Sequence, residues 1–290
     1  MDTCPPPSPR PVAPALTDRA ALDRARARAR RIGPALFLHD AAADEIALRL
    51  TEVNRTFTRI AIVSAFPEPW QAAFPGARIV ADTQVLDLEP GAQDLVIHAM
   101  SLHWADDPVG QLVQCRQALR PDGLLIAVFP AGRSLHELRA SLAEAEVGTR
   151  GGLSPRVLPM GEIRDLGGLL QRAGLALPVA DSVPLRVSYR DLFHLARDLR
   201  AMGETNALSA RPRHATRRAL FAQAAAIYAA NFPEADGRIA ATFDLVFLTG
   251  WAPDPSQQQP MRPGSASHSL AAILDDLARD RDGGDPPACP

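Results

Sequence analysis

The chain has 290 residues, of which 31 are Lys or Arg and 33 are Asp or Glu, and its formal net charge is −2. All 31 basic residues are arginine, and the absence of lysine excludes Schiff-base enzymes and nucleotide hydrolases that need a P-loop lysine. The nearly balanced charge gives no electrostatic basis for binding nucleic acid.

The two ends of the chain differ in composition from its middle. Residues 1–16 are rich in proline and predict an extended, disordered tail. Residues 253–290 are rich in Pro, Gln, Ser and Gly and predict a flexible tail with one short amphipathic helix near residues 269–279. Residues 17–252 are therefore predicted to form the folded domain.

A helix is predicted to begin after Thr17 and Asp18 and to run to Arg31, with arginines crowded into its second half. Arginine near a helix C-terminus complements the helix dipole. Two interpretations stay open: a solvated helix with favourable end charges, or a basic patch that makes a peripheral contact with a membrane or another anionic surface. A second helix is predicted over residues 40–50.

Short apolar runs alternate with helical patterns through the middle of the chain. This alternation predicts an α/β fold, a doubly wound and mostly parallel Rossmann-like sheet. The last two strands are predicted to form an antiparallel pair, with a helical insertion over about residues 190–238 that acts as a lid. The predicted strands cover residues 60–63, 94–99, 124–129, 183–189 and 242–248, and further helices cover residues 108–119, 161–173, 191–202 and 217–230.

Two segments resemble class I S-adenosylmethionine-dependent methyltransferases. Residues 101–107 (SLHWADD) and 119–124 (LRPDGL) resemble the region of the fourth and fifth strands, especially in the malonyl-carrier-protein methyltransferase group. The Arg-rich first helix and four later stretches resemble the methyltransferase-fold assembly factors of NADH:ubiquinone oxidoreductase (complex I). Those stretches are residues 135–139, 151–156, 201–207 and 250–257, and the resemblance covers residues 17–266.

This resemblance implies a seven-stranded sheet with S-adenosylmethionine bound over the carboxyl ends of the first strands. It also implies a complex I subunit as partner. The turn after the first strand departs from the family, because it has no glycine before Gly76 and because Pro67 and Pro69 remove amide donors. Only 30 residues separate Ser64 from Asp94, so about one βαβ unit is missing. The turn residues expected to contact the cofactor are Ser64, Ala65 and Phe66.

Four further residues are candidates for cofactor contacts. Asp82 is either the carboxylate that binds the ribose hydroxyls or a surface residue at the end of a strand. Asp87 and Leu88 resemble the family segment that contacts the adenine. His98 ends a strand that is expected to border the pocket.

Candidates for the substrate or lid region follow later in the chain. His103 could act as a base, because histidine titrates near neutral pH, or it could orient a loop in which Trp104 packs. Arg156, Glu204 and Asn206 could clamp a protein substrate or close the lid. The alternative is that Glu204 caps a helix end and Arg156 pairs with an acidic neighbour.

No metal site is predicted from the histidines. The resemblance ties mitochondrial members of the family to hydroxylation of an arginine on a complex I subunit, and an iron triad usually contains an H-x-D or H-x-E pair. The pairs here are His39–Asp40, His103–Asp106 and His136–Glu137, and none has that spacing.

The sequence leaves three functions open. The first is an S-adenosylmethionine-dependent enzyme that modifies a complex I subunit, and the second is a non-catalytic assembly protein that has lost the cofactor. The third is a small-molecule methyltransferase of the malonyl-carrier-protein type.

Cys4, Cys115 and Cys289 are far apart, which favours a reducing, cytoplasmic setting, and no apolar run predicts a membrane span.

Overall fold

The computed structural model describes residues 15–258. The chain divides into residues 1–254 and 255–290. The predicted N-terminal tail up to residue 14 and the predicted helix near residues 269–279 lie outside the described residues. No helix within residues 15–258 is both long and apolar enough to cross a membrane.

Six strands form one sheet in the order β2-β1-β3-β4-β6-β5. β1, β2, β3 and β4 run parallel, whereas β6 is antiparallel to both β4 and β5. The predicted fold class and the antiparallel final pair are therefore confirmed. The strands are β1 (Ile60–Ser64), β2 (Arg78–Val80), β3 (Gln93–Ala99), β4 (Leu119–Ala131), β5 (Ala176–Tyr189) and β6 (Ile239–Trp251).

Helices cover both faces of the sheet, which explains why β1, β3 and β4 are continuous apolar runs. Ile62 and Ile97 belong to the core shared with α2, α3, α5, α7 and α8, and Val63 and Val96 to the core shared with α4 and α6. The helices are α1 (Arg19–Ile32), α2 (Phe37–Glu52), α3 (Glu68–Ala73), α4 (Pro108–Ala118), α5 (His136–Arg150), α6 (Ile163–Arg172), α7 (Leu192–Ala201) and α8 (Arg218–Asn231).

The sheet has six strands rather than the seven that the resemblance implied. Between β1 and β3 the chain forms only α3, of six residues, and β2, of three residues. β2 is consequently the edge strand of the sheet. The shortage of residues between Ser64 and Asp94 is the physical reason for the missing strand.

The insertion between β5 and β6 contains the two predicted lid helices, α7 and α8. Leu192, Leu195 and Leu199 bury one side of α7, while Leu220 and Tyr228 bury one side of α8. The Tyr228 hydroxyl donates to the Ala240 carbonyl at 2.7 Å, which ties α8 to the start of β6.

The predicted first helix is confirmed as α1. The Asp18 side chain caps it by accepting a hydrogen bond from the Ala21 amide at 3.0 Å. One side of α1 is buried through Leu22, Ala25 and Ala29, so the helix packs on the domain.

Candidate functional site

The carboxyl ends of β1, β2 and β3, together with the turn at residues 64–66, form the carboxyl edge of the sheet. Val63 pairs with Val80 on one side, and Ser64 pairs with Ala99 on the other. This register brings five of the predicted cofactor residues to one place. They are Ser64, Ala65, Phe66, Asp82 and His98.

The turn after β1 is closed by its own side chains. The Ser64 hydroxyl donates to the Phe66 carbonyl at 3.1 Å and accepts from the Phe66 amide at 3.2 Å. Phe66 is 1% exposed, its ring lies 5.5 Å from that of His39, and the Arg30 guanidinium lies 5.2 Å from its centre. A buried phenylalanine therefore lies where the family has glycine.

Asp82 is not the surface residue of the alternative interpretation, because its side chain is 7% exposed. The Arg26 Nη1 atom donates to one carboxylate oxygen at 2.7 Å, and Arg19 Nη2 donates to the other at 3.1 Å. Arg19 Nη1 also donates to the Asp82 carbonyl at 2.6 Å. Both carboxylate oxygens are thus bonded by α1.

The carboxyl edge lacks the open turn and the free carboxylate that S-adenosylmethionine needs. The cofactor needs a turn that lets the backbone approach its methionine part and a carboxylate for its ribose hydroxyls. The turn instead contains the buried Phe66 ring, and the Asp82 carboxylate is bonded to Arg19 and Arg26. The edge therefore does not fit the cofactor in this conformation of α1 and of the turn at residues 64–66.

His98 lies beside Asp82 at the end of β3 and borders a cleft of about 540 Å³, the α4 cleft. Its Nε2 atom is 3.2 Å from the Gln111 side-chain oxygen on α4, while its buried Nδ1 has no hydrogen-bond partner in the described part of the chain. Burial lowers the pKa of His98, so its neutral form predominates at neutral pH.

Asp87 and Leu88 are not part of the α4 cleft. The Asp87 side chain is 89% exposed and pairs with Arg78 on β2 at 3.0 Å. The chain lines the cleft earlier, through residues 83–85, and then turns away where the Leu86 amide bonds the Gln114 side chain at 2.8 Å. Asp87 and Leu88 therefore lie outside the α4 cleft, because this loop passes the cleft before it reaches them.

The four predicted substrate or lid residues line a second space, the lid cavity, of about 230 Å³. The Glu204 carboxylate accepts from the Trp104 indole at 2.6 Å and lies 3.1 Å from His103 Nε2. Burial opposes ionisation of Glu204, but His103 and Arg26 outweigh it and lower the pKa of the carboxyl below its usual value. The four residues are His103, Arg156, Glu204 and Asn206.

Arg156 pairs with an acidic neighbour, as one of the two interpretations expected. Its Nη2 atom donates to Glu146 at 2.7 Å, and its Nη1 atom donates to the Thr216 hydroxyl at 2.9 Å. Asn206 donates to the Pro155 carbonyl at 2.9 Å. These bonds fix two walls of the cavity to each other. Glu204 follows the end of α7, but its side chain bonds the 102–104 turn instead of capping the helix.

His39, which the spacing of the histidines ruled out as a metal ligand, lies on α2 and lines the lid cavity. His39 Nδ1 accepts a hydrogen bond from the Trp70 indole at 3.1 Å, so the neutral ring carries its proton on Nε2. Burial lowers the pKa of His39 to about 4, more than the opposing charge of Glu204 raises it. The cavity therefore contains a neutral imidazole and a carboxylate.

Stability is expected to fall as the pH drops from about 6.5 to about 4. The unfolded chain takes up a proton at His39 near its ordinary pKa of about 6.5, whereas the folded chain resists it down to a pKa of about 4. Neutral His39 therefore stabilises the fold above pH 6.5, and this contribution, up to about 3 kcal/mol, is lost towards pH 4. Urea denaturation across this pH range measures it. His39→Gln should flatten the dependence, and an unchanged slope would contradict the assignment.

Among residues 15–258, no group of three or more His, Cys, Asp or Glu side chains is placed to hold a metal ion. The lid cavity and the α4 cleft thus offer hydrogen-bonding and charged groups, namely His39, His98, His103 and Glu204. This arrangement can bind and orient a polar or cationic ligand.

Comparisons with known proteins agree with the fold. Residues 33–127 match a methyltransferase domain family. The chain is 38% identical over 199 residues to the zebrafish (Danio rerio) protein named mitochondrial arginine-hydroxylase NDUFAF5, covering 69% of this chain and 62% of that protein. The human protein of the same name is 36% identical over 203 residues, covering 70% of this chain and 59% of that protein.

A second group of relatives is similar at lower identity. The malonyl-[acyl-carrier protein] O-methyltransferase of Xylella fastidiosa (strain M23) is 32% identical over 199 residues, covering 69% of this chain and 64% of that protein. The chain thus spans less than two-thirds of the length of each of these relatives.

Proposed function

We propose that this methyltransferase-like protein acts in the assembly of respiratory complex I by binding or modifying one of its subunits. The proposal rests on its resemblance to the NDUFAF5 proteins. The similarity in sequence, 36% to 38% identity over about 200 residues, supports this assignment. The identity to the malonyl-[acyl-carrier protein] O-methyltransferase, 32%, is lower. A small-molecule methyltransferase is therefore the weaker alternative.

S-adenosylmethionine is the cofactor that the proposal assigns. The methyltransferase domain match begins before β1 and ends within β4, so it includes the carboxyl edge. Asp82 at the end of β2 is the carboxylate available for ribose hydroxyls, but it becomes available only when α1 moves. When bound, the cofactor would supply an activated methyl group, and the protein would supply position.

The substrate group that we assign is an arginine side chain. The observation that carries this step is the Glu204 carboxylate in the wall of the otherwise mostly apolar lid cavity. An arginine has an apolar stem and a planar cation, which suit an apolar wall and a carboxylate respectively. Leu199 and Met202 of the lid lie on the apolar side of this cavity.

Replacing Glu204 with glutamine tests the proposal. The change removes the charge and keeps the size, so we expect the partner to bind about tenfold more weakly or worse, as for other buried charge partners. The measurement is the amount of assembled complex I, on native gels, in a strain whose own copy carries Glu204→Gln. Exposed Glu144 on α5 provides the matched control, Glu144→Gln. Normal complex I with Glu204→Gln at normal protein level would contradict the proposal.

A second function is favoured by one specific observation, the closed carboxyl edge. If Phe66 and the arginines of α1 occupy it permanently, the protein is a binding protein that has lost the cofactor. Calorimetric titration with S-adenosylmethionine separates the two functions. Saturable heat supports the enzyme, and no binding at millimolar cofactor supports the binding protein.

The proposal also places the protein in a reducing compartment such as the cytoplasm. Cys115, the cysteine within residues 15–258, is a free thiol, which is consistent with such a compartment. The relatives named NDUFAF5 are mitochondrial.

A further inference from the structure

Three arginines on one side of α1 hold the carboxyl edge closed. Arg19 and Arg26 bond the two carboxylate oxygens of Asp82, at 3.1 and 2.7 Å. Arg30, one turn further along, donates to the Ala65 carbonyl at 2.6 Å. Residues seven and eleven positions apart lie on the same face of a helix, so α1 presents these arginines to the edge together.

The hydrogen bonding of the buried Arg26 guanidinium is incomplete. Its side chain is 3% exposed, yet its Nε and Nη2 atoms have no hydrogen-bond partner within residues 15–258. Buried donors without partners cost free energy, so a guanidinium in a permanent structural role is normally bonded more completely. Release of α1 would expose the buried side chains of Leu22, Ala25 and Ala29, of which only Leu22 is large.

The ion pair and a nucleoside ligand need the same atoms. A ribose diol would bond the Asp82 carboxylate, and both of its oxygens already accept from α1. The methionine part would approach the turn at Ala65, whose carbonyl accepts from Arg30. Bound ligand and seated α1 therefore exclude each other at both points.

We propose that α1 is a latch: Arg19 and Arg26 occupy the Asp82 carboxylate in place of an adenosyl ligand, which binds only after α1 leaves the carboxyl edge. This inference rests on the proposed cofactor. The ligand binds only the molecules in which α1 has left the edge. Its apparent affinity is therefore its intrinsic affinity multiplied by the fraction of such molecules. A partner that draws α1 away would raise the affinity.

The test compares two alanines of α1 that differ in burial. Ala29 is fully buried beside Ala65 and Phe66, whereas Ala27 is exposed on the same helix. Ala29→Asp should release α1 from the edge, because it places a charge in the buried contact. Ala27→Asp adds the same charge, at the same cost in helix propensity, on the exposed side. We expect Ala29→Asp to bind S-adenosylhomocysteine at least about tenfold more tightly than Ala27→Asp in calorimetry. Trypsin should also cut the arginines of α1 faster in Ala29→Asp.

Circular dichroism would show whether Ala29→Asp misfolds, and a milder variant tests the proposal in that case. Arg30→Gln removes the bond to the Ala65 carbonyl and the contact of the guanidinium with the Phe66 ring. We expect it to change ligand affinity and trypsin cleavage in the same direction, by a smaller factor.

Three results would overturn the latch, and each says something different about the cofactor. Equal affinity in Ala29→Asp and Ala27→Asp would show that α1 does not compete with the ligand. Protection of wild-type α1 from trypsin by S-adenosylhomocysteine would show that α1 closes over the ligand, which keeps the proposed cofactor. Release of α1 without any binding at millimolar S-adenosylhomocysteine would reject both the latch and the cofactor.

Discussion

Replacing Arg26 with leucine is expected to lower the free energy of unfolding by about 3 kcal/mol, because Asp82 would stay buried with one of its two guanidinium partners removed. Arg26 and Asp82 are nearly inaccessible, with side chains 3% and 7% exposed and 2.7 Å apart. Arg19 would remain, but its side chain is 44% exposed, so it neutralises Asp82 less well. Urea denaturation followed by tryptophan fluorescence measures the loss.

Two further variants separate the ion pair from other effects. Arg24→Leu alters an exposed arginine of the same helix and should change stability by no more than about 0.5 kcal/mol. Arg26→Leu combined with Asp82→Leu removes both charges and should recover much of the loss, because no buried charge is left unpaired. If Arg26→Leu is as stable as Arg24→Leu, then Arg26 is not held as described.

Much of the fold could be predicted because its determinants are local. The apolar runs of β1, β3 and β4 are buried on both faces of the sheet, and such runs are visible in the sequence without knowledge of their partners. Asp18 marked the start of α1 correctly because a helix cap acts over three residues. α5 was missed, although Leu138 and Leu142 bury one side of it.

The candidate site was less predictable because its contacts are distant in sequence. Asp82 and His98 are candidates because they follow or end predicted strands, and Glu204 is a candidate because residues 201–207 resemble the family. Nothing in the arginine pattern distinguishes Arg26, which is buried, from Arg24, which is exposed. The partner of Arg26 is 56 residues away, and that of Glu204 is 100 residues away. Only the packing of α1 and the lid against the sheet settles these pairs.

Trp70 is expected to give the largest loss of stability among the core residues that contact the site. It is fully buried on α3, stacked on Phe74 with ring centres 6.5 Å apart, and its indole donates to His39 at 3.1 Å. Trp70→Ala should lower the free energy of unfolding by about 4 kcal/mol, since it leaves a cavity and removes a buried donor. Urea denaturation measures the change.

Trp70→Phe separates packing from hydrogen bonding, because it keeps an aromatic ring but cannot donate to His39. We expect a loss of about 1–2 kcal/mol, the cost of leaving the buried His39 Nδ1 without its donor. The same change should raise the pKa of His39, since Nδ1 becomes free to accept a proton, and NMR titration of the ring can follow it. If Trp70→Phe changed neither the pKa of His39 nor the free energy of unfolding, the hydrogen bond from Trp70 to His39 Nδ1 would not be formed in solution. His39 would then be a packing residue, and Glu204 with His103 would remain to orient the ligand.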